Sequence, residues 1–449
     1  MNHNLASADV LVEKYKDLLE STASAPITDP YRKRMTAVML ENQAHALAEE
    51  RSQGFNPLNE AAPAGANTSS MSTWDPILMA LVRRSAPNLI GYDVCGVQPM
   101  TGPTGIAFAM KARYGAGSTA SKEALFNEAE TNFSGDSVGA GAHDSDNVTG
   151  LDQADDGDSD LTIDDSDLTD ITGVPMSTAD AEALGDGVGR PIAEMGFTIE
   201  KATVTAKSRA LKAEYTTELA QDLKAIHGLE AETELANILS TEILAEMNRE
   251  IIRTLNSQAK LAATTDNTAV NGIFNLSTDA DGRWSVEKFK GLMLQITRES
   301  HVIAKETRRG RGNFIICSAD VASALEAAGI LDYNPALQTN LNVDDTGNTF
   351  AGVIGGRTKV FVDPYAVADY VNVGYKGASP YDAGVFYCPY VPLTMMRAVE
   401  ENSFQPKIGF KTRYGMVSNP FVGSTPANGL ATARSNQYYR IFRVEGILQ

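Results

Sequence analysis

An α+β fold is predicted by three features of the 449-residue sequence. One stretch, 231 to 256, places Leu235, Ile238, Leu239, Ile243, Leu244, Met247, Ile251, Ile252 and Leu255 on one broad helical face, enough for a helix of roughly 30 to 35 Å. Beyond it, short runs rich in β-branched and aromatic residues recur between Gly and Pro: NFIIC (313–317), TKVFV, YVNVGY, GVFYC, KIGFKTRYGMV and QYYRIFRVEGI. One further helix, VASALEAAG (321–329), interrupts them. With 43% hydrophobic residues the chain can bury the cores of roughly two to three domains.

The first 60 residues read as two amphipathic helices. Leu11, Tyr15, Leu18 and Leu19 share a face in the first. In the second, Asp29 as N-cap and Pro30 at the first helical position precede Tyr31, Met35, Val38 and Met39. Such helices need a partner surface. The second gives way to GFNPLNEAAPAG (54–65), where Pro57 and the small residues after Glu60 keep the chain extended and accessible. Residues 61–73 are small and polar and form a tether, after which Asp75 and Pro76 open a helix that Pro87 closes. Residues 92–114 are strand-like, with TGPTG (101–105) as a turn. Helical spacing returns from Lys207, where Leu211, Tyr215, Leu219, Leu223 and Ile226 predict one helix ending near Gly228.

Charge is concentrated in one place. The window 123–189 holds 14 Asp and 4 Glu with no Lys or Arg, so nearly all of the net charge of -19 sits there and the rest of the chain is close to neutral. Its centre, DSDNVTGLDQADDGDSDLTIDDSDLTD (144–170), reads as an open loop or a small inserted module, with KARYG and EMGFTIEKATV as the paired strands from which it projects. A chain with no basic stripe has no electrostatic footprint for tight nucleic-acid binding. Cys95, Cys317 and Cys388 lie far apart in apolar surroundings and read as buried small hydrophobes in a reducing compartment. The N-terminus lacks the pattern of a signal peptide, and no apolar run of about 18 residues occurs, so cytoplasmic synthesis without membrane insertion is expected.

Catalytic constellations are not found. GDSVG (135–139) puts Ser137 in the G-x-S-x-G pattern with His143 nearby, but a nucleophile elbow needs a hydrophobic strand before it and a helix after it, and neither is present. The acidic tract resembles a calcium loop, yet starting from Asp152 it has Ala154 at the third place and Ile163 where the closing Glu belongs. An EF-hand is excluded, which leaves loose divalent-cation contacts by Asp152, Asp155, Asp156, Asp158 and Asp160. GVIGGRTK (352–359) and RRGRG (308–312) lack the order of a phosphate-binding loop and read as turns, and the five histidines show no metal-ligand spacing. No enzyme activity and no cofactor are expected.

RRSAPNLIGYDVCGVQPMTGPTG (83–105), EMGFTIEKATVTAKSRALKAEYTTELAQDLKAIHG (194–228), GRGNFIICSADVASAL (310–325), YVNVGYKG (370–377), DAGVFYCPYVPLT (382–394) and FQPKIGFKTRYGMVSNPF (404–421) resemble, in order, the major capsid proteins of T-even-type contractile-tailed phages. The resemblance implies the Hong Kong-97 capsid fold, an α+β architecture. It divides the chain into a scaffold-facing propeptide (1–60), an N-terminal arm (61–110), an E-loop (111–205) carrying the acidic insertion (about 115–190), a peripheral domain with the long spine helix (206–309), an axial domain (310–390) and a return to the peripheral domain (391–449). It implies hexamers that form an icosahedral head around double-stranded DNA without sequence-specific binding, synthesis in the bacterial host cytoplasm and residence in the virion. The implied partners are neighbouring capsomers, an internal scaffold, a prohead protease, and vertex and decoration proteins.

The family's processing site follows a hydrophobic-x-Glu triplet. Leu58, Asn59 and Glu60 match it, making Ala61 the new N-terminus. The triplets ending at Glu13, Glu20 and Glu49 lie in predicted helices and are secondary. The alternatives are an ordinary linker at 54–65, the related pentameric vertex protein, a protein nanocompartment of the same fold, or, in a different class, a serine hydrolase using Ser137.

Overall fold

The computed structural model describes residues 9–19, 30–52, 89–115, 121, 123–125, 133–134, 178–182, 192–263, 271–280, 282, 284–329, 331–332, 349–400, 405–422 and 429–447. Its helices are α1 (Lys16–Leu19), α2 (Pro30–Ser52), α3 (Gly91–Val94), α4 (Thr178–Glu182), α5 (Thr217–His227), α6 (Ala231–Gln258), α7 (Ser285–Thr307) and α8 (Ala319–Ala327). Its strands are β1 (Gly96–Val97), β2 (Thr104–Tyr114), β3 (Met195–Thr205), β4 (Lys207–Glu214), β5 (Ala259–Leu261), β6 (Ile273–Asn275), β7 (Phe314–Ser318), β8 (Leu331–Asp332), β9 (Thr349–Ile354), β10 (Thr358–Asp363), β11 (Tyr370–Gly374), β12 (Val385–Val399), β13 (Pro406–Ser418) and β14 (Asn436–Glu445). Two compact units result, one of Met1–Ala109 with Lys201–Gln449 and one of Met110–Glu200.

In the larger unit, α6 supplies the apolar stripe that the sequence predicts. Leu239, Ile243, Met247, Ile251 and Leu255 recur every fourth residue, all are buried, and they share one core with Phe410, Tyr387 and Tyr439 of the sheets. Ile238, expected on the same face, is instead exposed. The expected face is wider than the one the sheets cover. A second long helix, α7, fills the stretch before NFIIC, for which the sequence reading names no element. Its Leu292, Ile296 and Ile303 pack with Ile315, Val360 and Val371 in a second core.

Sheet order is β1-β12-β13-β4 in one sheet and β5-β14-β11-β7-β10-β9-β8 in the other, with β6 also paired to β14. FIIC of NFIIC, with Ser318, becomes β7, buried at every position, parallel to β10 and antiparallel to β11, the place where a continuous apolar run belongs. The strands expected at TKVFV, YVNVGY, GVFYC, KIGFKTRYGMV and QYYRIFRVEGI are β10, β11, β12, β13 and β14. GVIGGRTK holds the β9–β10 turn, with Gly355 and Gly356 at positive φ.

Lys207–Glu214 corrects the sequence reading. The apolar spacing predicts a helix from Lys207 to Gly228, but these eight residues are β4, paired along their length with β13 from Lys207↔Tyr414 to Glu214↔Lys407. Without β4, one side of β13 would lose its backbone partners, and that ladder outweighs the helix propensity of a Lys- and Ala-rich run. The helix begins only at Thr217, where the Thr216 hydroxyl accepts from the Leu219 amide at 3.2 Å, and it stops at Gly228 with φ 68°.

Pro389 and Pro392 cannot donate to a ladder, and the pairing of β12 with β13 slips on either side of Val391. Carbonyls at this bulge therefore accept from elsewhere: Pro389 from the Met100 amide at 2.9 Å and Val391 from the Thr412 hydroxyl at 3.1 Å.

The smaller unit contains Met110–Tyr114 of β2 and Met195–Glu200 of β3. The Gly115 amide donates to the Glu194 carbonyl at 2.8 Å, Arg113 Nε donates to the Thr198 hydroxyl at 2.8 Å, and Lys111 pairs with Glu123 at 3.2 Å. The paired strands expected at the foot of the insertion are therefore present. Residues 135–177 lie outside the described residues.

Candidate functional site

Two apolar surfaces stand out among the described residues, and within them one is covered and the other is not. The occupied surface holds α2. Met35 and Met39 of this helix enter the core that also contains Leu89, Tyr92 and Tyr387. Polar contacts fix it from Tyr31 to Asn42. Tyr31 donates its hydroxyl to the Val97 carbonyl at 3.0 Å, and Arg32 pairs with Asp93 at 2.7 Å. The Tyr92 hydroxyl donates to Met39 Sδ at 2.9 Å. Asn42 Nδ2 donates both to the Met100 carbonyl at 2.9 Å and to the Tyr390 carbonyl of the β12 bulge at 3.1 Å. On its other side α2 carries the residues before it: Tyr15 and Leu19 pack on Ala37 and Leu40, and the Tyr15 hydroxyl donates to Glu41 at 2.6 Å.

Lys376 completes this cluster. Its ammonium donates to the Tyr92 carbonyl and lies 5.8 Å from the centre of the Tyr31 ring, and burial lowers its pKa. Cys95 beside it is buried, and burial pushes its thiol up to about 12, as it does for Cys317 and Cys388. All three cysteines are thus inert core residues, as expected.

The surface left uncovered among the described residues is the ribbon. Along β3 the exposed side carries Met195, Phe197 and Ile199, followed by the polar Lys201, Thr203 and Thr205, while Gly196, Thr198 and Glu200 point to the less exposed side. On β2, Met110 is also exposed. An apolar stripe facing water on a two-stranded ribbon is the reverse of the usual alternation, and among the described residues no second layer packs on this ribbon. Helix α5 repeats the pattern on a smaller scale, with Leu219 and Ile226 exposed.

The charged residues buried in the larger unit hold the fold together. Arg249 forks onto Asp363, which also accepts from the Tyr370 hydroxyl at 2.7 Å. Arg440 pairs with Glu299 at 3.2 Å and with Glu306. Among the described residues no three His, Cys, Asp or Glu side chains converge to hold a metal ion.

The family model of the Gp23 major capsid protein matches residues 71–444. The chain belongs to that family. It is 43% identical to the major capsid protein of Salmonella phage ViI, over 91% of this chain and 89% of that one. It is 37% identical to that of Enterobacteria phage T4, over 88% and 86%. The T4 capsid vertex protein matches less well, at 29% over 51% of this chain and 54% of its own. Solved capsid structures are similar too. The capsid of Myoviridae phage XM1 covers 79% of this chain and 92% of its own at 9% identity with a TM-score of 0.37, and an empty GTA particle gives 0.38. The resemblance carried by the quoted motifs is borne out, and as a Gp23-family protein the chain is a component of the virion capsid. The α+β class expected from the sequence is the one observed.

Leu58, Glu60 and Ala61 lie outside the described residues, as do Ser137, His143 and the acidic set Asp152, Asp155, Asp156, Asp158 and Asp160. Leu47-Ala48-Glu49 falls within helix α2, as the sequence predicts. The sequence reading does not anticipate the anchoring roles of Arg32 and Asn42. The one available signal is that Arg32 and Asn42 flank the Met35–Met39 face, which marks a seam without naming its partner.

Proposed function

We propose that this subunit assembles head-to-tail into hexamers, that hexamers join into an icosahedral head around double-stranded DNA, and that a prohead protease removes residues 1–60 by cutting between Glu60 and Ala61. The observation that carries assembly is the outward apolar stripe of Met195, Phe197 and Ile199, which a second copy of the chain covers. In this reading 61–110 is the arm, 111–205 the E-loop with its insertion, 206–309 with 391–449 the peripheral domain, and 310–390 the axial domain, with α6 as the spine. The near-neutral body suits a container wall, since a strongly basic one would bind the DNA being packed. The protein is structural and not an enzyme. It is made in the bacterial cytoplasm, and its partners are scaffold, protease, vertex and decoration proteins.

The fuller match to major capsid proteins than to the vertex protein favours hexamers over pentamers. Phe197→Asp tests assembly. The variant is expected to fold, because Phe197 is exposed in the isolated subunit, and to fail to form shells. Normal shells from this variant would overturn the role given to the ribbon. N-terminal sequencing of the subunit from DNA-filled particles tests processing and shell membership together.

A further inference from the structure

Residues 30–52 belong to the segment that the proposed function discards, yet they are built into the subunit like a core element. Met35, Thr36, Met39 and Gln43 of α2 are buried, and its anchors reach three separate backbone carbonyls, those of Val97, Met100 and Tyr390. None of these contacts passes through the joint at 53–60. One position on the helix is badly matched. Gln43 is fully buried, and neither its Oε1 nor its Nε2 has a hydrogen-bond partner among the described residues. A buried amide without partners weakens the seat it occupies, whereas an apolar side chain of similar size would tighten it.

We infer that α2 is a detachable clamp: its own contacts hold it in the groove formed by α3, β12 and α6, so that breaking the chain after Glu60 leaves it seated, and its departure is a second, separate step. That departure uncovers an apolar floor of Leu89, Tyr92, Tyr387 and Leu393. It also leaves the Tyr390 carbonyl at the β12 bulge without Asn42, and Asp93 with one cation fewer. The groove therefore stays closed while the clamp is in place and opens only when it leaves. Gln43 keeps the clamp removable.

The clamp as a discarded element rests on the proposed excision of residues 1–60, but its seating does not, and the experiment separates the two. A recognition sequence for a site-specific protease is placed within residues 53–60 of the full chain, the folded protein is cut, and co-elution of the N-terminal fragment is followed with the fluorescence of a dye that binds apolar surface. The cut wild-type chain is expected to retain its fragment and to keep dye fluorescence low. Asn42→Ala and Met39→Glu are expected to release the fragment about tenfold faster or more with a rise in dye binding, and Gln43→Leu to slow release by about tenfold. Asn42→Ala introduces no charge and serves if Met39→Glu does not fold. Immediate loss of the fragment from the cut wild type, or equal release from wild type, Asn42→Ala and Gln43→Leu, would overturn the inference. Because the cut is engineered, absence of natural processing at Glu60 would refute the excision and leave the seating result standing.

Discussion

Arg32 Nη2 stands 2.7 Å from Asp93 Oδ2, a contact between residues 61 positions apart that ties α2 to α3. The same carboxylate takes Lys359 of β10 at 3.2 Å. Burial alone would raise the pKa of Asp93, but the charges of Arg32 and Lys359 reverse this and hold it below its ordinary value. A depressed carboxylate contributes stability that is present in full above the unfolded pKa and lost as pH falls through the folded one. The full-length chain is therefore expected to lose stability below about pH 4, the ordinary carboxylate range. Arg32→Ala should lower the melting temperature at pH 7 and reduce the further drop on acidification. An identical acid-induced drop in both proteins, measured by calorimetry, would show that the pair does not carry it.

How much of this was legible in the sequence depends on where each signal lies. The strand at NFIIC and the α6 stripe were legible because burial on every side, or on one helical stripe, leaves a run or a period of apolar residues. Lys207–Glu214 was not, because Leu211 and Tyr215 keep a helical spacing and the decisive partner, β13, lies about 200 residues away. Nor could periodicity show that Asn42 would cap a carbonyl freed by Pro389 and Pro392, since that bulge and that helix meet only in the folded chain. The apolar-out alternation of β3 was present in EMGFTIEKATV as a period of two, but the pattern alone does not say which side faces water.

Ile251 and Leu244 lie on the same helix and should respond differently to truncation. Ile251 is completely buried in the larger core, so Ile251→Ala should cost about 2 to 5 kcal/mol. Leu244 is half-buried at a cleft beside Pro392 and Leu393, where neighbours can relax, and its truncation should cost less than that of Ile251. Chemical denaturation of the two variants measures the difference. A larger loss at Leu244 would contradict the placement of the core.

Glu60→Ala should leave precursor-length protein in particles that assemble and mature poorly. Leu58, Asn59 and Glu60 form the hydrophobic-x-Glu triplet that stands between Pro57 and a run of small residues, whereas Leu47-Ala48-Glu49 sits inside α2, where a protease cannot take the chain in extended form. Mass spectrometry of the particle subunit reads the outcome. Unchanged processing in the variant would place the cut elsewhere.

Residues 134–170 should be dispensable for folding of the subunit. They contain 12 Asp with no Lys or Arg. Burying one unpaired carboxylate costs several kcal/mol, and no basic residue within the segment offsets it. On either side the chain is already anchored, by β2 and β3 pairing at Gly115 and Glu194 and by the Lys111–Glu123 ion pair, so a short Gly-Ser linker can close the gap. Divalent cations would reduce the repulsion among carboxylates such as Asp152, Asp155, Asp156, Asp158 and Asp160, and so raise the melting temperature of particles. The linker variant should fold, and its particles should melt at the same temperature with and without EDTA, while wild-type particles should melt lower with EDTA. A linker variant that does not fold would place the tract in the core, and wild-type particles indifferent to EDTA would remove the cation from the account.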